Sequence, residues 1–223
     1  TTNHSVLMLD QQDYNTMHYK TNNKPRLELL VGGMFAGKTF EFIRRLDKSV
    51  IAELEVIVFK PVIDQRYGDG ITSHSKLDLE TITGLKPICL QCDLSDIQLY
   101  EKQIQQADVI AFDEVQFFTN EIVEFIDYVM RRNGARVICA GLDQDAFGNP
   151  FGPVPFLLAK AHEVLKLTGI CSICKEPSTK TFKKPSNNQM FNKESNILVG
   201  GADEFEPRCD DCWYTVASST DTE

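Results

Sequence analysis

The chain has 223 residues, enough for one domain of ordinary size with a small appendage. Hydrophobic residues make up 42% and charged residues 25%, the balance of an ordinary globular protein, and no apolar run approaches the roughly 18 residues of a membrane span. The net charge of −9 argues against a nucleic-acid-binding role, because the longest basic clusters are only the pairs Arg44-Arg45, Arg131-Arg132 and Lys183-Lys184, which solvated faces explain.

Residues 1–24 are polar, rich in Asn, Gln and Thr, and without sustained periodicity, as in a flexible extension. They lack a basic start followed by an apolar core and do not read as a secretory signal. Leu27 to Val31 form a short apolar run ending at Gly32-Gly33, as a buried strand does. Phe40, Ile43 and Leu46 then recur at helical spacing. Val56–Phe59 is the next strand, closed by Pro61, and the polar, glycine-containing stretch from Val62 to Glu80 reads as a loop.

Asp108 to Phe112 is a further buried strand, ending in Asp113-Glu114. A helix is expected from about Asn120, with Ile122, Val123, Ile126, Val129 and Met130 on one face and Gly134 as its terminator. The strand RVICAG follows. Strands alternating with helices predict an α/β fold, a mostly parallel sheet covered by helices on both faces. The composition changes after Gly169. The segment 170–215 has four cysteines and too few apolar residues for its own core, so a metal or disulfides are needed to fold it. The domain reading is therefore an extension at 1–24, an α/β domain at 25–169, a metal-held unit at 170–215 and a disordered tail at 216–223.

Gly32-Gly33-Met34-Phe35-Ala36-Gly37-Lys38-Thr39 matches G-x-x-x-x-G-K-[ST]. Its glycines let successive backbone N–H groups point at phosphate oxygens, and the following helix presents its positive end to the same anion. Lys38 would bridge the β- and γ-phosphates of ATP, and the Thr39 hydroxyl would ligate Mg²⁺. A metal-holding carboxylate is expected at a neighbouring strand end, where Asp113 fits. Glu114 beside it faces the ligand crevice and could act as a general base.

Three of the seven cysteines' spacings are C-x-x-C. Without a secretory signal, reduced thiols in a cytoplasmic protein fit better than a disulfide framework. Cys171, Cys174, Cys209 and Cys212 can close a tetrahedral four-thiolate Zn²⁺ site. The 34 residues between these pairs make the metal the clamp of a long loop, a structural rather than catalytic role. Cys89 and Cys92 read as free buried cysteines rather than a ligand or redox pair, and Cys139 as core.

Taken together, GGMFAGKT, VFKPVIDQRY, DEVQFF, GLDQDAFGNPFGP, LKLTGICSIC and VGGADEFEPRCDDC resemble, in order and over about Leu27 to Cys212, the type II thymidine kinases, the zinc-containing P-loop family. The resemblance implies a P-loop, RecA-like fold with a zinc-bound lasso. It implies that Glu114 takes the proton from the 5′-hydroxyl of thymidine, that Arg66 offsets charge on the transferring phosphoryl group and that Asp64 sits near sugar or metal. Met34, Gln116, Phe117, Leu142, Phe151 and Thr181 would surround the thymidine, with Leu198, Val199 and Gly200 of the lasso reading the base through backbone groups and Phe205 packing on the nucleoside. A homotetramer inhibited by thymidine triphosphate is implied as well.

The chain departs from the family pattern at three places. Gly33 replaces a proline, Phe205 replaces a tyrosine, and Ala146 takes an aromatic position with Phe147 displaced by one. The alternatives from other classes are a P-loop ATPase driving motion or nucleic-acid work, and a zinc-stabilised binding module without activity.

Overall fold

The computed structural model of the chain describes residues 26–63, 70–72, 77–185 and 204–217. The expected extension at 1–24, most of the tail, Asp64, Arg66 and Leu198–Gly200 lie outside the described residues.

Six parallel strands form the main sheet: β1 (Arg26–Val31), β2 (Val56–Pro61), β3 (Ile88–Leu90), β4 (Val109–Phe112), β5 (Arg136–Gly141) and β6 (Glu163–Lys166). Their spatial order is β3-β2-β4-β5-β1-β6. The α/β architecture is the one expected from the alternation of strand and helix patterns. Successive side chains on a strand point to opposite faces, so β1 sends Leu27, Leu29 and Val31 to one core and Leu30 to the other. Helices α3 (Glu101–Gln106), α4 (Glu121–Asn133) and α5 (Val154–Lys160) cover the first core through Ile104, Ile122, Ile126 and Leu157. Helices α1 (Lys38–Ile51) and α2 (Leu79–Thr83) cover the second through Phe42, Ile43, Leu46 and Leu79.

The five apolar residues of α4 are all buried, and Gly134 ends the helix in the left-handed conformation that an L side chain disfavours. On α1 the inward face differs from the expected one. Phe42 is buried beside Ile43 and Leu46, whereas Phe40 is 46% exposed. Both phenylalanines are at helical spacing from other apolar residues, and the angle at which α1 leaves the phosphate loop decides between them. β2 runs two residues past Phe59 and ends at Pro61, its last residue. The stretch expected to be loop contains the start of α2, where Asp78 caps the helix by accepting from the Thr81 N–H at 2.9 Å. The edge strands β3 and β6 and the short helices α3 and α5 gave no sequence signal. β6 is mostly exposed and so has no apolar run to betray it.

At the amino ends of β1 and β5, Glu28 is fully buried on the α1 side of the sheet. Arg45 of α1 and Arg136 of β5 each reach it at 2.5 Å, and Arg26 at 2.6 Å. Burial alone would push the Glu28 carboxyl up, but hydrogen bonds from Arg136 and Arg45 and the surrounding positive charge hold it below the usual range.

Beyond the sheet come two small antiparallel hairpins, β7 (Gly169–Ile170) with β8 (Pro177–Ser178), and β9 (Lys180–Lys183) with β10 (Phe205–Arg208), followed by α6 (Asp210–Ala217). Among the described residues no helix is long and apolar enough to cross a membrane.

Candidate functional site

The site is built at the carboxyl ends of β1, β4 and β5, where a parallel sheet opens its ligand crevice. β1 ends at Val31, and Gly32 follows with φ 141°. A Cβ on Gly32 would lie 2.2 Å from the Leu167 carbonyl oxygen, so only glycine fits between β1 and the strand pairing with it. The chain passes through Phe35 at φ 63° and Gly37 at φ 84° before α1 begins at Lys38. These left-handed positions curl the loop, and the first N–H groups of α1 have no intrahelical acceptor. The helix dipole favours an anion at that end. The buried Lys38 ammonium lies across the loop, donating to the Gly33 carbonyl at 2.7 Å. At Gly33 the Thr179 and Lys180 backbones pass 3.3–3.4 Å from where a Cβ would sit, a tight approach.

Asp113 follows β4 and is buried, its N–H bonded to the Phe59 carbonyl at 2.9 Å. Glu114 then takes a left-handed conformation, φ 48° and ψ 44°, ahead of a 3₁₀ turn over Val115–Phe117. A non-glycine residue there carries strain of about 1–2 kcal/mol, of the kind that accumulates at functional sites. Gln116 is 2% exposed. Its Nε2 donates to Glu114 Oε2 at 2.5 Å, and its Oε1 accepts from the Leu142 N–H at 3.0 Å.

Beside the phosphate loop is a small, partly open recess, well below the roughly 300–1,000 Å³ of a typical small-molecule pocket. Met34, Leu142, Phe151, Thr181 and Phe205 line it. Phe117 stands behind the wall, edge-on to Phe151 with ring centroids 5.7 Å apart. Gln116 is likewise outside the lining, its amide engaged by Glu114 and Leu142.

Asp145, Ala146 and Phe147 complete the lining. Ala146 packs against the buried Met34, Leu142 and Phe205, while Phe147 is 44% exposed. Asp145 was not singled out from the sequence. Its signal is the Asp-x-x-Gly spacing of a turn: its Oδ1 accepts from the N–H groups of Phe147 and Asn149, both at 2.9 Å.

Cys171, Cys174, Cys209 and Cys212 converge, all four sulfur atoms lying within 4.8 Å of one another. Sulfurs about 2.3 Å from a tetrahedral zinc ion are about 3.8 Å apart, and the Cys174–Cys209 separation of 3.5 Å is close to that. Burial would raise the Cys171 thiol, but backbone N–H groups of Cys174, Cys209 and Ile173 outweigh it and lower it, while the crowding of the sulfurs raises Cys174 and Cys212. The four thiolates fit a structural zinc. Cys89 and Cys92 are half-buried rather than buried and join no metal-binding group among the described residues. Burial raises the Cys92 thiol. Cys139 is core, as expected, its thiol raised by complete burial.

The arrangement joins an anion-binding loop, two adjacent carboxylates and a small apolar cavity, which suits phosphoryl transfer to a small cyclic acceptor. Comparison with known families agrees: a model of the family described as thymidine kinase matches residues 25–213.

Proposed function

The chain belongs to the thymidine kinase family, whose activity is phosphoryl transfer from ATP to thymidine, and from that premise we propose that it moves the γ-phosphoryl group of Mg-ATP to the 5′-hydroxyl of thymidine. Deoxyuridine, which lacks only the ring methyl, is a second acceptor to test. The carrying observation is that one cavity is walled by Met34 of the phosphate loop, Leu142 after β5 and Thr181 and Phe205 of the cysteine-held hairpin. A nucleoside ring held there lies beside the loop that would hold the triphosphate.

In this reading the backbone N–H groups of Gly32 to Thr39 and the Lys38 ammonium hold the phosphates. Thr39, Asp113 and Asp64 would hold a magnesium ion, which would offset the charge of the phosphates. Glu114 accepts the proton of the 5′-hydroxyl as the oxygen–phosphorus bond forms, and ADP leaves with the electron pair of the broken bond. Arg66 would neutralise charge on the transferring group. Leu198, Val199 and Gly200 would contact the base. Four cysteines holding zinc leave no open coordination position, so the metal's part is to fold residues 170–215. The family resemblance further supports a homotetramer, inhibition by thymidine triphosphate, a cytoplasmic location and a place in pyrimidine salvage, with no nucleic-acid or membrane partner.

The test is phosphoryl transfer from ATP with thymidine, with deoxycytidine as control, in the native and Glu114→Gln chains. Thymidine-dependent thymidine monophosphate that collapses in the variant supports the reading. Equal ADP release without thymidine points to an ATPase. No turnover by folded, zinc-loaded protein points to a binding module.

A further inference from the structure

The buried amide of Gln116, like the Glu114 carboxylate, stands outside the lining of the recess. Both of its polar atoms are nevertheless committed. The Leu142 N–H can only donate, so the amide must turn Oε1 toward it, and this directs Nε2 at the Glu114 carboxylate. The orientation is dictated by the partners. Two glycines let neighbouring segments approach Gln116, Gly141 at its amide and Gly152 at its backbone. A Cβ on Gly141 would lie 2.7 Å from Gln116 Oε1, and one on Gly152 would lie 2.2 Å from the Gln116 carbonyl oxygen. Gly152 reaches that approach with φ 51°, and it follows Phe151 of the cavity wall. Residues 114–116 and 141–142 thus meet at one side chain, while Gly152 packs on the backbone that carries it.

We infer that Gln116 is a positioning residue that fixes the Glu114 carboxylate at a set distance from the Leu142 wall of the nucleoside cavity. The inference rests on the reading of Glu114 as the base. Glu114 stands on a strained left-handed residue, and a carboxylate on such a turn has rotamers to choose among. The Gln116 amide selects one. A nucleoside seated against Leu142 then finds its 5′-hydroxyl in reach of the base, because wall and base are held by opposite ends of the same amide. The two halves have separable duties. The Nε2 half serves the chemical step, and the Oε1 half holds the wall that binds the ring.

The test uses steady-state kinetics for thymidine and ATP on the full-length, zinc-loaded chain, with melting curves on the same preparations. Gln116→Glu keeps the size and the acceptor for Leu142 but replaces the donor with a group that repels Glu114 or shares a proton with it. It should lower kcat on the order of 10–100-fold, the scale of a small misplacement of a reacting group, and leave KM for thymidine within about twofold. Gln116→Met removes both halves and should also raise KM for thymidine. In a Glu114→Gln chain, assayed at high enzyme concentration for its residual turnover, adding Gln116→Glu should cost less than about twofold more, because the two residues act as one unit. If Gln116→Glu raises KM with kcat kept, or if the two losses multiply in the double variant, the inference is overturned while the base reading stands. If Glu114→Gln alone leaves kcat intact, the base reading fails and the inference with it. Should Gln116→Met not fold, the Gln116→Glu chain and the double variant decide.

Discussion

The hydroxyl of Thr181 accepts a hydrogen bond from the Met34 N–H at 3.0 Å, so the cysteine-held hairpin is tied directly to the phosphate loop. Both residues line the same cavity. Disturbing the hairpin therefore disturbs the wall shared with the phosphates.

Thr181→Val keeps the shape of the side chain but leaves the Met34 N–H buried without an acceptor. The expected cost is about 1–3 kcal/mol of stability, with a higher KM for the nucleoside. Thr181→Ser should restore both. Denaturant melts and initial rates on the three proteins check this.

Zinc removal acts on the same link from the other side. Thr181 is on β9 and Phe205 on β10, and Cys209 directly follows β10. Stripping the metal with a chelator should release about one zinc per chain and strongly weaken nucleoside phosphorylation, since a closed four-thiolate site contributes folding free energy outright. Metal release measured with a colorimetric indicator should run parallel to activity loss, and Cys174→Ser should reproduce the stripped protein.

Acid should destabilise the chain through the ion cluster on α1. Hydrogen bonding from Arg44, with help from Arg45, brings the Glu41 carboxyl from 4.5 down to about 2, and Glu28 is lowered as well. Groups with a lowered folded-state value bind fewer protons folded than unfolded, so their contribution is complete above about pH 4.5 and is lost as pH falls toward 2. Glu28→Gln leaves three arginines around a neutral buried amide and should cost about 3–5 kcal/mol at neutral pH. Its stability should fall less steeply between pH 4.5 and 3 than that of the native chain, as read by urea melts across that range.

Two glycines separate backbone strain from steric conflict. Gly84 (φ 73°) has nothing within 4 Å of its missing Cβ, whereas Gly152 (φ 51°) has the Gln116 carbonyl oxygen at 2.2 Å. Gly84→Ala should cost about 1–2 kcal/mol, the left-handed penalty alone. Gly152→Ala should cost clearly more and reduce turnover by moving Gln116 and Phe151. Thermal melts paired with kcat measurements distinguish the two.

Trp213, the chain's sole tryptophan, donates from its ring N–H to the Thr181 carbonyl at 3.2 Å, and its ring is 3.5 Å from where a Cβ of Gly148 would sit. It touches both the hairpin and the turn after Asp145. Thymidine should change its emission with a saturation curve, and Thr181→Val should weaken that response. An emission unchanged by saturating thymidine would separate this helix from the cavity.

Much of this protein was legible in the residues themselves. The phosphate loop, the strands at Leu27–Val31 and Arg136–Gly141, the apolar face of Glu121–Asn133 and the four cysteines announce themselves by short-range spacing, because glycine conformations, strand burial, helical periodicity and thiolate pairs are local properties. Other features come from partners far apart in the chain. Met34 meets Thr181 across 147 residues, Gln116 meets Leu142 across 26, and Arg136 meets Glu28 across 108. Glu28 reads as one polar residue in an apolar strand until α1 and β5 bring two arginines to it. Phe40 and Phe42 are equivalent in periodicity until the angle of α1 exposes one and buries the other. Gly32 and Gly152 look like ordinary turn glycines until another backbone passes where their side chains would be. The sequence by itself determined which chemistry the chain carries. The strand order and the docking of the C-terminal hairpins decided which residues stand together, because a buried polar group must find its partner wherever the fold happens to bring one within hydrogen-bonding reach.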